Sequence, residues 1–233
     1  MELTQRLAAI AGFIPKGMVV ADVGTDHALL PIYLVQTGNT PRAIATDLNE
    51  KPYLGACQAV SNRNLNNLID VRLGSGLGPL CPGEAGIIVI SGMGGSTIIS
   101  ILEGSAGVLA NTRRLILQPM ADAGRLRLWL AGNGWRLEDE KLVREEGRIY
   151  PVLVAEPGDE PEKDMLRLEL GPRLLDNGDP LLEDYLDKVV SDYQKVLSGL
   201  ARSRSIEARE KAIMLTKKFT AVREMLYCKR NVK

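Results

Sequence analysis

A chain of 233 residues can bury a full α/β core and still carry one appendage. Its 29 basic and 29 acidic residues cancel, so the molecule as a whole is no polyanion-binding surface, and a nucleic acid would have to be met by a local patch. Three scattered cysteines, Cys57, Cys81 and Cys228, argue against a disulfide frame or a structural zinc site and for a reducing, cytoplasmic setting.

In chain order, Leu3, Leu7, Ile10 and Ile14 step by four, three and four, which predicts an amphipathic helix over residues 4–13. This segment lacks the continuous apolar core of a signal peptide, and no run anywhere is long enough to span a membrane. An apolar strand over 18–23 then enters a polar turn at Gly24. The following helix should start close to His27, because Pro31 is tolerated only in a first turn. Residues 42–46 give a second strand closed by Asp47, 52–66 a helix, 71–73 a third strand, and 86–90 a wholly apolar fourth. A helix over 96–102 leads to a fifth strand at 114–117, and 122–133 is helical. Two strands, 136–143 and 150–155, are separated by Glu145-Glu146-Gly147-Arg148, a hairpin turn that makes them antiparallel. Alternating strands and helices closed by a hairpin give an α/β, Rossmann-like class I methyltransferase sheet, where a dinucleotide dehydrogenase would show a sixth parallel strand.

The acidic, proline-containing stretch 156–164 is expected to be an exposed link. Beyond it, Leu182, Leu186, Val189, Tyr193, Val196 and Leu200 form one heptad seam, and Ala212, Leu215, Phe219, Val222 and Leu226 a second. The short break between them forces an antiparallel helical hairpin, a coiled coil appended to the sheet. The division is therefore a sheet domain over 1–160 and a helical hairpin over 161–233. From Arg202 to the C-terminus ten basic residues oppose three acids. That excess fits a phosphate-contacting arm, and equally a solvated coiled-coil face.

Three strand ends converge on one ligand site. The Gly24 turn follows strand one; Asp47, 23 residues later, can accept from two ribose hydroxyls; Gly74-Ser75-Gly76-Leu77 ends strand three, where an apolar slot can hold an adenine. A pyrophosphate-binding G-x-G-x-x-G would need glycine where Asp26 and Leu29 stand, and an aspartate repels phosphate. A carboxylate there suits a cationic nucleoside, and S-adenosylmethionine brings an ammonium and a sulfonium. Ser91-Gly92-Met93-Gly94-Gly95, ending strand four, permits close approach of a planar substrate or is simply a tight strand-to-helix turn. His27, the sole histidine, is either a structural donor at the helix start or a participant in the site.

Ala21-Asp22-Val23-Gly24-Thr25-Asp26-His27-Ala28, Ser91-Gly92-Met93-Gly94-Gly95 and Leu115-Ile116-Leu117-Gln118-Pro119 resemble the bacterial tRNA (adenine-22-N1)-methyltransferases. Trp129-Leu130 through Trp135 and Glu146-Gly147-Arg148-Ile149-Tyr150 continue the likeness over about the whole chain, the C-terminal helical hairpin included. The resemblance implies methyl transfer from S-adenosylmethionine to N1 of an adenine in the tRNA core. It implies cofactor binding by Asp22, Gly24, Thr25, Asp26, His27, Asp47, Leu48, Gly74, Ser75, Gly76, Leu77, Ser91, Gly92 and Met93. The catalytic candidates are Asp26, His27 and Gln118, with no metal. On the arm, Arg202, Arg204, Arg209, Lys211, Lys217, Lys218 and Arg223 are the candidate tRNA contacts. Three positions depart from the family pattern: Leu29 stands where a tyrosine is usual, Ser75 where an aspartate is, and Met120 where an asparagine is. Two alternatives remain at this level, a methyltransferase acting on another substrate and a binding module whose coiled coil is a partner surface.

Overall fold

Val20–Val23 (β1), Ala43–Asp47 (β2), Ile69–Leu73 (β3), Ile87–Met93 (β4) and Arg114–Pro119 (β5) lie parallel, and Trp135–Glu145 (β6) and Arg148–Pro157 (β7) close the sheet as an antiparallel pair. In this computed structural model, which describes residues 2–203 and 205–231, the strand order is β3-β2-β1-β4-β5-β7-β6. The order reverses beside β1, whose neighbours are β2 and β4. This is the switch point at which ligands of open α/β sheets bind, outside the carboxyl ends of the strands. The hairpin turn has Glu146 and Gly147 both at positive φ, 49° and 74°, the conformation that matches the twist of the flanking strands.

Both faces of the parallel strands are covered, which is why β1 is buried along its whole length and β4 opens on a continuous apolar run rather than an alternating one. Ala21, Val23, Ile88 and Ile90 pack on one side with Ile98 and Leu102 of Gly95–Glu103 (α4) and Leu126 and Leu130 of Ala123–Gly132 (α6). Val20, Ile87 and Val89 pack on the other with Ile10 of Gln5–Gly12 (α1) and Leu30 and Leu34 of Leu29–Gln36 (α2). Since β1 side chains alternate, Asp22 shares the face of Val20, the face that α1 and α2 cover.

Several boundaries differ from the periodicity. Helix α2 is not among them: it begins at Leu29, close to His27, with Pro31 in its first turn, while Asp26 and Ala28, at left-handed φ of 53° and 52°, stand outside it. The helix over Glu50–Ser61 (α3) ends five residues before the expected 66, and Asn64 then takes a φ of 57°. Strand β4 runs on through Ser91-Gly92-Met93, with Gly92 bulged out of its pairing with β5. Short helices at Ala106–Leu109 (α5), Met165–Leu170 (α7) and Pro172–Asn177 (α8) carry too few turns to leave a periodic signal.

Stretch 156–164 is not simply an exposed link. Glu160 is only 3% exposed, its carboxylate accepting from Leu137 N at 2.8 Å and from Arg173 Nη2 at 2.9 Å. Nearby, Arg127 of α6 and Glu140 of β6 form a wholly buried pair at 2.6 Å, and Arg127 also donates to Glu169 O at 2.7 Å. Left without partners these charges would be stranded in the core; paired, they lock α6, β6 and α7 together.

The chain divides into two units, Met1–Arg173 and Leu174–Lys233. In the second, Leu182–Leu200 (α9) and Ile206–Asn231 (α10) pack on each other, and Arg230 near the end of α10 pairs with Glu183 and Asp187 at the start of α9, so the helices run antiparallel. Of the expected seam positions, Leu182, Leu186, Val222 and Leu226 are buried, whereas Val196 is 45% exposed. Among the described residues no helix is long and apolar enough to cross a membrane.

Candidate active site

The turn after β1 is built from alternating left-handed residues: Gly24 at φ 76°, Asp26 at 53° and Ala28 at 52°. Its first three amides are already occupied. Gly24 N and Thr25 N donate to Thr46 O at 2.8 and 3.0 Å, and Asp26 N donates to Asp47 Oδ2 at 3.3 Å. Asp47 also accepts from Asn49 N through Oδ1 at 3.0 Å, so each of its oxygens keeps one lone pair for a ligand. A phosphate cradle needs free N–H groups at such a turn; here Gly24, Thr25 and Asp26 offer none, and carboxylates stand in their place.

Asp22, beneath the turn, accepts from Thr25 Oγ1 at 2.7 Å. Burial pushes its carboxyl up to about 6 from an ordinary 3.8, the Asp47 charge adds to this, and the Thr25 hydroxyl works in the opposite direction. Asp26 and His27 are far more exposed, at 71% and 61% of the side chain, with His27 Nε2 3.7 Å from Asp26 Oδ1. The far side of His27 rests on α3, where a Cβ on Gly55 would come within 3.1 Å of Nδ1.

Beside β1, the Gly92 bulge at φ 76° sends its N–H to Gln118 Oε1 at 3.1 Å. Gln118 is 1% exposed, and its Nε2 donates to Pro119 O at 3.0 Å. Met93 closes on the turn, so that a Cβ added to Gly24 would lie 2.3 Å from the Met93 methyl. The Arg6 side chain of α1 enters from above: Nη1 donates to Gln118 Oε1 at 3.1 Å, Nε donates to Glu145, and the guanidinium lies 4.9 Å from the Tyr150 ring centre. Burial works upward on the Glu145 carboxyl, but bonds from Arg6 and Thr4 outweigh it and hold the pKa low.

A cavity of about 330 Å³ joins these groups. Asp22, Gly24, Thr25, Asp26, His27, Ser91, Gly92 and Gln118 line one wall, Leu29 and Leu30 the start of α2, and Thr4, Arg6, Leu7 and Ile10 of α1 the other. Asp47 adjoins it through Asp26 N, and Met93 through Gly24. Leu48, Gly74, Ser75, Gly76 and Leu77 lie outside the cavity, at the neighbouring ends of β2 and β3, where Gly74 N donates to Asp47 O at 2.8 Å. Leu48 is exposed, whereas the Leu77 side chain is buried in the core. The α1 wall is the part of the site that sequence patterns did not point to. A larger depression of about 760 Å³, lined by Glu2, Lys16, Tyr33 and Asn39 among others, gathers no comparable set of converging groups.

Residues 3–153 match the family described as a methyltransferase domain. The tRNA (adenine(22)-N(1))-methyltransferase of Bacillus subtilis is 44% identical over 159 residues, 68% of this chain and 67% of that protein. The chain belongs to this methyltransferase family. The crystal structure of the B. subtilis m1A22 tRNA methyltransferase TrmK superposes with a TM-score of 0.89 at 33% identity, over 97% of this chain and 99% of that one. A Streptococcus pneumoniae protein solved in complex with S-adenosyl-L-methionine superposes at 0.84 with 34% identity, over 97% and 100%. Of the positions that depart from the family pattern, Leu29 lines the cavity and is exposed, and Met120, exposed outside it, accepts through its sulfur from Arg6 Nη1 at 3.4 Å. A cationic nucleoside fits the residues present: acceptors at Asp22, Asp26 and Asp47, occupied amides at Gly24, Thr25 and Asp26, and a left-handed glycine turn.

The raised Asp22 pKa has a stability consequence. The folded chain holds this proton between about pH 4 and 6 while the unfolded chain releases it, so stability is lost as pH rises through that window. Asp22→Asn has no charged form to desolvate. Its unfolding free energy from urea titration should match wild type at pH 4 and exceed it at pH 7.5, by up to about 3 kcal/mol; equal stability at both pH values would contradict the burial argument.

Proposed function

We propose that this chain transfers a methyl group from S-adenosylmethionine to N1 of adenine 22 of tRNA. The observation that carries the reading is the carboxylate-lined cavity at the sheet's switch point, whose turn amides are occupied and whose acceptors suit a cation. The 44% identity to the B. subtilis enzyme supplies the acceptor. When bound, the cofactor supplies an electrophilic methyl on a sulfonium.

In this reading Asp47 would accept from the ribose hydroxyls with its two remaining lone pairs, and Leu48 with the Gly74-Ser75-Gly76-Leu77 backbone would flank the adenine. Ser75 offers a hydroxyl where the family pattern has a carboxylate. Asp22, Gly24, Thr25 and Asp26 would hold the cationic end, and Ser91, Gly92 and Met93 would stand toward the methyl. Adenine N1 carries its own lone pair, so the residues serve to align it and exclude water rather than to remove a proton. Positive charge builds on the base as the methyl moves; Asp26, with His27 beside it, is placed to balance that charge. Gln118 acts by shaping the β4 bulge, since its carboxamide is occupied at both ends.

In this reading the sheet unit, Met1–Arg173, thirteen residues longer than the expected 1–160, is the catalytic part, and the helical unit from Leu174 is the tRNA-contacting part, in a cytoplasmic protein. On α10, Arg209, Lys211, Lys217 and Arg223 are exposed, Lys218 is half-buried, and Arg202 is exposed just before the helix. Arg204 lies outside the described residues. Such side chains neutralise phosphates and release counterions.

A labelled-methyl assay on unmodified tRNA should give a product mapped to adenine 22, and tRNA with guanine at that position should stay unlabelled. Asp26→Asn should lower turnover or cofactor affinity by about tenfold; no change in either removes both roles of Asp26. Replacing Arg209, Lys211 and Lys217 together by Glu should weaken tRNA binding and flatten its dependence on salt, by about one unit of slope for each phosphate no longer neutralised. S-adenosylhomocysteine affinity should meanwhile stay within about twofold. An unchanged salt slope would remove the arm's role.

A further inference from the structure

The first helix supplies one side chain to the site that the turn and strand ends do not explain. Arg6 donates through Nε to Glu145 of β6 and through Nη1 to Gln118 Oε1 at 3.1 Å, with its guanidinium over the Tyr150 ring. The same Gln118 oxygen accepts the Gly92 N–H at 3.1 Å. These two donors settle which way the carboxamide points. Turned over, its NH2 would face two N–H groups and leave both without an acceptor in a nearly dry place. The Gly92 bulge in turn carries Met93 against Gly24. Contact thus runs without a break from Glu145 through Arg6, Gln118, Gly92 and Met93 to Gly24.

Resting on the methyl-transfer reading, we infer that Arg6 is a positioning residue for that reaction, acting through Gln118 to hold the Gly92 bulge at the mouth of the cavity. Glu145 serves a second purpose. It balances the guanidinium, so that Arg6 does not oppose the positive charge building on the acceptor base. A lysine cannot replace this arrangement. A single ammonium has the charge but not the planar fork that addresses a carboxylate and a carboxamide at once while standing over an aromatic ring.

The test compares the full-length wild type with Arg6→Gln, Arg6→Lys and Leu3→Ala in methyl transfer to unmodified tRNA. Leu3 packs on the core cluster of Ile10 and Leu30 and lies outside the cavity, so its truncation loosens α1 without touching the relay. Arg6→Gln should lower kcat by about tenfold or more while the KM for tRNA stays within about threefold. Arg6→Lys should recover little of that loss, and Leu3→Ala should keep at least about half of wild-type kcat. The Gly92 amide resonance should move in both Arg6 variants and hold in Leu3→Ala. Unchanged kcat in Arg6→Gln, full recovery by lysine, or an equal fall in Leu3→Ala would each overturn the inference. A wild type that fails to methylate tRNA overturns instead the reading on which it rests. Should Arg6→Gln not fold, the lysine variant and the Gly92 resonance still decide the matter.

Discussion

Everything at this site depends on the left-handed turn between β1 and α2. Gly24 adopts its φ without strain, but Asp26 and Ala28 bear Cβ atoms, and holding each of them left-handed costs about 1 kcal/mol. What that strain achieves is directional. The Gly24 and Thr25 amides are bound to the end of β2, Asp26 N is bound to the Asp47 carboxylate, and the Asp26 side chain is sent outward. A turn that in a dinucleotide fold presents donors to a pyrophosphate presents acceptors here. The sign of the ligand charge follows from where three N–H groups go.

The sheet order turns that local device into a two-substrate site. Because β4 rather than β3 lies on the far side of β1, the Gly92 bulge stands beside the turn, and Met93 reaches Gly24. Because β1 alternates, Asp22 falls on the face covered by α1, and that helix becomes a wall of the cavity. Methyl transfer asks for two partners held in line with water kept out. One wall from strand ends and one from an added helix provide two surfaces for two partners.

How much of this was legible in the sequence depended on range. The Gly24 turn, Asp47 and the Ser91–Gly95 stretch were visible because an apolar run ending in glycine or aspartate is a local signal, and the Glu146-Gly147 hairpin was visible for the same reason. The start of α2 was legible through Pro31, which must lie in a first turn, but nothing in Asp26 or Ala28 announces their left-handed conformation. Glu160 looked solvated in an acidic, proline-containing stretch, yet Leu137 and Arg173 bury it. Arg6 left no trace, since its partners Gln118 and Glu145 lie 112 and 139 residues away. The heptad stepping located both helices of the hairpin but overstated the seam at Val196.

The central claim is that the switch-point turn holds a cationic nucleoside through buried carboxylates, Asp22 among them. Calorimetric titration with S-adenosylmethionine at pH 5, 6 and 7.5, on wild type and Asp22→Asn, tests it most directly. With Asp22 titrating at about 6, wild-type affinity should fall as pH drops below that value, by about tenfold per unit at the limit. Asp22→Asn should bind weakly at pH 7.5 and show little change with pH. Tight, pH-independent binding by both proteins would contradict the account.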